Sequence, residues 1–176
     1  MRRRQTRKLS MRTAGEWWRS PGKLDWAILI RLSLAFVFIL EGYQKLVFPE
    51  ILGAGRFTKI GIPYAEVMGP FVGVVELVCG ALILAGWFTR AAAVPLIIIM
   101  LVAIMTTKVP ILLGHDWGMF KVRDLDRYGF LSMTHETRTD FAMVMESIFI
   151  LLSGAGRWSI DAARWQTRRV PDSGRG

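Results

Sequence analysis

The sequence predicts an all-α polytopic membrane protein, an antiparallel bundle of four transmembrane helices with both termini cytoplasmic. Three observations carry this. The composition is too apolar for an ordinary soluble domain, with 52% hydrophobic residues and a mean hydropathy of +0.35 over 176 residues. The apolar residues fall into four blocks, 26–48, 68–88, 91–113 and 141–158, each of roughly the 20 residues that cross a hydrocarbon core of about 30 Å. The basic residues are unevenly placed. Residues 1–25 hold eight Lys or Arg, the tail after 156 holds five, and Arg90 sits in the short turn between the second and third blocks. The two longer loops, 49–67 and 114–140, hold six against seven acids. The bias of Lys and Arg toward cytoplasmic segments then puts both termini inside and the two loops outside.

In chain order, residues 1–25 form a basic cytoplasmic segment, residues 26–162 the membrane domain and residues 163–176 a basic cytoplasmic tail. The net charge of +9 is concentrated at the ends, so it reads as a topology determinant and a contact for anionic lipid, with no nucleic acid partner. MRRRQTRK does not read as an export signal, because the apolar run begins some 25 residues later and no small-residue cleavage site follows it. Trp17, Trp18 and Trp26 form an interfacial belt before the first span.

The turn GWFTR at 86–90 forces a tight antiparallel pair, and Pro95 and Pro110 disturb the start and end of the third span. The aromatics of the third loop, Trp117, Phe120, Tyr128 and Phe130, suggest a segment folded over the outer face of the bundle. Gly154 and Gly156 stop the fourth helix.

Counting side chains removes several mechanisms. Cys79 is the single cysteine, so no disulfide pair forms within the chain. His115 and His135 both fall in the third loop, so no haem is expected between the spans and no metal site is expected.

What remains is charge inside the spans. Arg31 lies about 8 Å from the inner end of the first span and is assigned a structural role, snorkelling to cytoplasmic headgroups. Glu41, Lys45, Glu76, Lys108 and Glu146 all fall at about 5 to 12 Å below the outer surface when the four spans are laid out at 1.5 Å per residue. Glu41 and Lys45 stand at i and i+4, acid first, which favours pairing. Glu76 lies on the stripe Gly69, Gly73, Glu76, Gly80, a face on which a neighbouring helix can approach closely. Ala142, Glu146 and Ser153 suggest a similar small or polar face on the fourth span. Isolated charges at this depth each carry a penalty of at least about 2.5 to 3.5 kcal/mol. The five are therefore candidate ligand-binding residues, with a structural lock as the competing reading. Three carboxylates against two ammoniums leave one acid without a counter-charge. Glu76 and Glu146 are the candidates for a proton relay, and no catalytic residue is assigned beyond that.

The chain resembles the DoxX family of small four-helix membrane proteins over most of residues 26–162. The likeness rests on LAFVFILEGYQKL in the first span, VVELVCGALILAGWFTRAAA at 74–93, TTKVPILLGHDWG, and GAGRWSID after the fourth block. The family pattern of Gly followed by Lys three residues on falls on Gly42 and Lys45, and its Glu before a Gly-rich half-helix falls on Glu76. The resemblance implies a bacterial inner-membrane component of redox or thiol-stress chemistry, with quinone as the implied cofactor and a soluble or membrane redox partner. The basic amino terminus and the long third loop depart from a minimal member. Three functions stay open: a non-cofactor subunit of a quinone-linked oxidoreductase complex, a non-catalytic membrane scaffold, and a small-anion or weak-acid carrier acting as a homodimer.

Overall fold

The computed structural model describes Trp17, Trp18, Ser20, Gly22 and residues 24–167. The remainder of the basic amino-terminal segment, and the tail from 168 onward, lie outside the described residues. The described chain is helical, with one isolated bridge between Trp117 and Phe120 and no strand among the described residues.

From residue 27 onward the described residues form these helices in order: α1 Ala27–Val47, α2 Ala54–Ile60, α3 Ala65–Ala85, α4 Thr89–Leu113, α5 Phe130–Ser153 and α6 Ile160–Thr167. Helices α1, α3 and α4 are each long and apolar enough to cross a membrane. The first two end on the glycines or aromatics that follow them, as when Gly86 takes φ 67° and donates its N–H to Ile83 and Leu82. The predicted tight turn follows, with Phe88 in the left-handed region at φ 48°.

Within α4 the residues Ile104–Lys108 form a π-helical turn, and Pro110 follows two residues later. Proline removes one N–H donor and crowds the carbonyl four residues back. The wider turn re-routes the ladder so that Val109 donates to Ile104, and the helix continues to Leu113. Pro110 therefore remodels the span at Lys108 and leaves its end intact.

Helix α5 corrects the expected fourth span. It starts at Phe130, eleven residues before the apolar block at 141, and stops at Ser153, where Gly154 takes φ 81°. Nothing between Gly129 and Gly154 breaks a helix, so the polar stretch Thr134–Asp140 is helical as well. Its last 18 residues carry Glu136, Arg138, Asp140 and Glu146, more charge than α1, α3 or α4. The loop before it shortens to 114–129 and is tied down, since Lys121 N–H donates to Ile60 at 2.8 Å.

The core sits where the long helices meet. Leu34, Ala35 and Phe38 of α1 pack with Ile83 of α3, Ala93 and Leu96 of α4, and Met143, Val144 and Ile150 of α5. The opposite faces, including Phe36, Phe71, Val78, Ile98 and Leu101, are exposed, as a lipid-facing surface requires.

Helices α1 and α3 come closest. A Cβ placed on Gly42 would lie 2.5 Å from the Gly73 carbonyl oxygen and 2.7 Å from Leu77 N, so the two backbones touch where side chains would hold them apart. Gly80 meets Ile39 in the same way, and Gly69 meets Ala54 of α2. The stripe read from the sequence is thus the face of α3 turned toward protein, and Gly69, Gly73, Glu76 and Gly80 are all buried.

At one end of the bundle Arg31 is 3% exposed and does not snorkel. Its guanidinium donates to four carbonyls: Ile83 at 2.8 Å, Leu84 at 2.6 Å, Ala155 at 3.1 Å and Trp158 at 2.6 Å. Helix ends leave carbonyls without partners. Arg31 supplies donors to those at the end of α3 and in the turn after α5, which is a structural role by a route other than lipid headgroups. At the same end Asp161 accepts from Phe88 N–H, Thr89 N–H and the Thr89 hydroxyl, capping the start of α4 from α6. Arg90 lies over the Trp17 ring at 4.1 Å.

Candidate functional site

The site is at the other end of the bundle. The Gly42–Gly73 crossing brings α1 and α3 together one helical turn from Lys45 and Glu76. Lys45 Nζ donates to Glu76 Oε2 at 2.7 Å and to Glu41 Oε2 at 3.0 Å. Glu76 has a side chain 1% exposed, whereas that of Glu41 is 47% exposed. The buried half of the triad is therefore Lys45 with Glu76, and Glu41 forms its rim. One ammonium shared by two carboxylates leaves the triad one negative charge in excess. Glu76 Oε1, inside the protein, has no hydrogen-bond partner among the described residues.

The π-helical turn of α4 places Lys108 on the opposite wall. Lys108 is buried and pairs with Asp140 of α5 at 3.2 Å. Helical phase alone leaves Lys108 undecided, because its neighbours Leu101 and Met105 are apolar. Both are exposed while Lys108 is buried, since the extra residue in the wide turn changes the phase of the residues after it.

Between the two pairs lies a cavity of about 480 Å³. Glu41, Lys45, Glu76, Lys108 and Asp140 line it, together with Arg56 from α2. Most of its remaining wall is apolar, contributed by residues such as Val37, Phe71, Ile99 and Met143, with Thr106 and Thr107 between. A largely apolar chamber with a few convergent polar groups is the usual form of a small-molecule site.

Four of the five residues read from the sequence thus surround one cavity, and Glu146 does not. It hydrogen-bonds Ser33 Oγ at 3.2 Å, and Ser33 is only six residues from the start of α1 at the far end of the bundle. The error is one of depth and phase. Asp140 is level with Lys108, itself about 8 Å short of the end of α4, so Glu146 lies about 9 Å deeper still. The buried face of α5 is Met143, Val144, Ser147 and Ile150, not the face through Ala142, Glu146 and Ser153, which leaves Glu146 at its edge. Conversely, Asp140, Arg56, Thr106 and Thr107 line the cavity without having been singled out. Asp140 was legible: a buried lysine needs a counter-charge, and Asp140 is the nearest acid at that level on the next long helix. Arg56 sits in a loop helix, and no periodicity places a loop over a cavity.

Fold and site together define a helical membrane protein with a largely apolar cavity in which a few charged side chains converge. The chain belongs to the DoxX family, whose model matches residues 26–109, from the start of α1 through Lys108 and Val109. It is 48% identical over 134 residues to the uncharacterized membrane protein Rv3486 of Mycobacterium tuberculosis (strain ATCC 25618 / H37Rv), a match covering 76% of this chain and 78% of that protein. No solved structure matches.

Proposed function

We propose that this protein is the membrane subunit of an oxidoreductase complex and that its cavity binds a quinone ring. The observation that carries the reading is the pairing of Lys45 and Glu76 on the cavity wall, with Glu76 Oε1, buried behind it, lacking a donor among the described residues. A buried unpartnered acceptor is unfavourable by about 1 to 3 kcal/mol. The hydroxyl of a reduced quinone supplies the missing donor. Lys45, held between Glu41 and Glu76, stands beside it as the donor to a ring carbonyl. Apolar walls suit the ring and the first part of its tail. A quinone takes up two electrons and two protons; a partner protein brings the electrons, and Glu76 exchanges a proton with the ring oxygen it faces, with Glu41 at the rim as the route to water.

In this reading α5 is the fourth span, since it exposes Phe141, Met145, Phe149 and Leu152 outward while packing Met143 and Ile150 into the bundle. The protein then sits in the bacterial cytoplasmic membrane with both ends inside. The carrier reading has less support, because Lys45, its first anion contact, already holds two carboxylates.

The test is quinone carried through gentle extraction from native membranes, measured by mass spectrometry, alongside quinone reduction by the extracted complex. Glu76→Gln and Lys45→Met lower both by at least tenfold. Bound quinone and turnover unchanged in both variants would sink the proposal.

A further inference from the structure

Adjoining the membrane cavity is a second chamber, of about 470 Å³, that the quinone reading does not use. Four segments wall it: α2 with Arg56 and Lys59, the end of α4 with Lys108, the outer loop with Lys121 and Arg123, and α5 with Glu136. Five cationic side chains thus face a single carboxylate. Arg123 is paired with Glu136 at 3.3 Å and Lys108 with Asp140 at 3.2 Å. Arg56, Lys59 and Lys121 have no ion pair among the described residues.

These three charges are held together by the fold. Lys121 N–H donates to the Ile60 carbonyl at 2.8 Å, and Val122 N–H donates to Asp116 Oδ1 at 2.7 Å, so the loop carrying Lys121 is fastened to the helix carrying Arg56 and Lys59. Like charges fixed around one concavity focus their field into it and raise the local concentration of anions. The chamber also shares Arg56, Ile60, Thr107 and Lys108 with the apolar cavity.

We propose that this chamber is an oxyanion site of the phosphate class. Its ligand is the phosphate of an anionic phospholipid, whose acyl chains stay in the surrounding bilayer, or a free phosphate ion. The site uses residues other than the Lys45–Glu76 pair and stands whether or not that pair binds quinone.

The full chain, purified in detergent, is offered phosphatidylglycerol, phosphatidylcholine or inorganic phosphate, with native mass spectrometry and tryptophan fluorescence as readouts. Lys59 and Lys121 are exposed, so Lys59→Gln with Lys121→Gln tests charge without disturbing the core. The unaltered protein retains phosphatidylglycerol over phosphatidylcholine by roughly tenfold or more, on the scale of one kcal/mol per basic side chain near anionic lipid, and the double variant loses that preference. The charge-keeping pair Lys59→Arg with Lys121→Arg retains it. A fluorescence response to phosphate, lost in the Gln variant and without any lipid preference, identifies the free ion as the source. Equal behaviour of the unaltered protein and the Gln variant toward all three probes would overturn the site, as would loss of binding in the Arg variant.

Discussion

Gly42→Ala tests whether the close approach of α1 and α3 builds the candidate site. The added methyl would stand 2.5 Å from Gly73 O and 2.7 Å from Leu77 N, both backbone atoms that no rotamer change can move. Restoring an ordinary separation of about 3.5 Å moves the helices apart by about 1 Å. Overpacking of this kind is destabilising by about 1 to 3 kcal/mol, and contact with backbone on two sides belongs at the upper end. Alanine regains about 0.8 to 1 kcal/mol of helix propensity over glycine, which leaves a net loss of about 2 kcal/mol. For a chain of this length that is a fall of about 4 to 8 °C in melting temperature. The same displacement stretches the 2.7 Å Lys45–Glu76 bond, so quinone retention falls with it. Gly73→Ala is the control. Its methyl meets Gly42 O and the Leu46 side chain at 3.2 Å, and the smaller clash is offset by the gain in propensity, for a net change near zero. Melting curves in one detergent measure both. A Gly42→Ala protein as stable as the original, or a Gly73→Ala protein that is the worse of the two, would refute the geometry.

Arg31→Met removes a donor from the carbonyls of Ile83, Leu84, Ala155 and Trp158; Ile83 keeps the Gly86 N–H, and at about 1 to 3 kcal/mol for each of the other three the loss is at least about 3 kcal/mol. Arg31→Lys recovers only part of it, because an ammonium cannot reproduce the planar fork; thermal melting ranks the three proteins. Asp140→Asn removes the counter-charge of Lys108 on the cavity wall and lowers ligand retention, whereas Glu146→Gln, outside the cavity, leaves retention within twofold. The reverse order, read by mass spectrometry of the bound ligand, would restore Glu146 to the site.

The parts of this molecule legible in its sequence were those fixed by helix geometry alone. Glu41 and Lys45 share a face because they are four residues apart, and the glycines flanking Glu76 mark the side of α3 that a neighbour can approach. They put both residues on faces turned toward protein, while the α1–α3 crossing that brings Lys45 to Glu76 is seen only in the fold. Features set by irregular backbone were not legible. The wide turn at Ile104–Lys108 changes the phase of α4, and composition does not reveal it. The start of α5 was misplaced because hydropathy marks where apolar residues begin, while a helix begins where the last breaker ends, here Gly129. That shift carried Glu146 out of the cavity and left Asp140 in it. For Arg31, a position near the start of α1 is equally compatible with lipid headgroups and with the carbonyls of α3; only the path of the chain after α5 decides between them.

The grip of Arg31 also has a bearing on the order of assembly. Two of its acceptors belong to residues 124 and 127 positions further along the chain. Helix α1 is synthesised long before Ala155 and Trp158 exist, so of its final acceptors only Ile83 and Leu84 of α3 are within reach of its guanidinium during that interval. The other two of its hydrogen bonds therefore wait for the turn after α5. A chain cut before residue 155 lacks half of that grip.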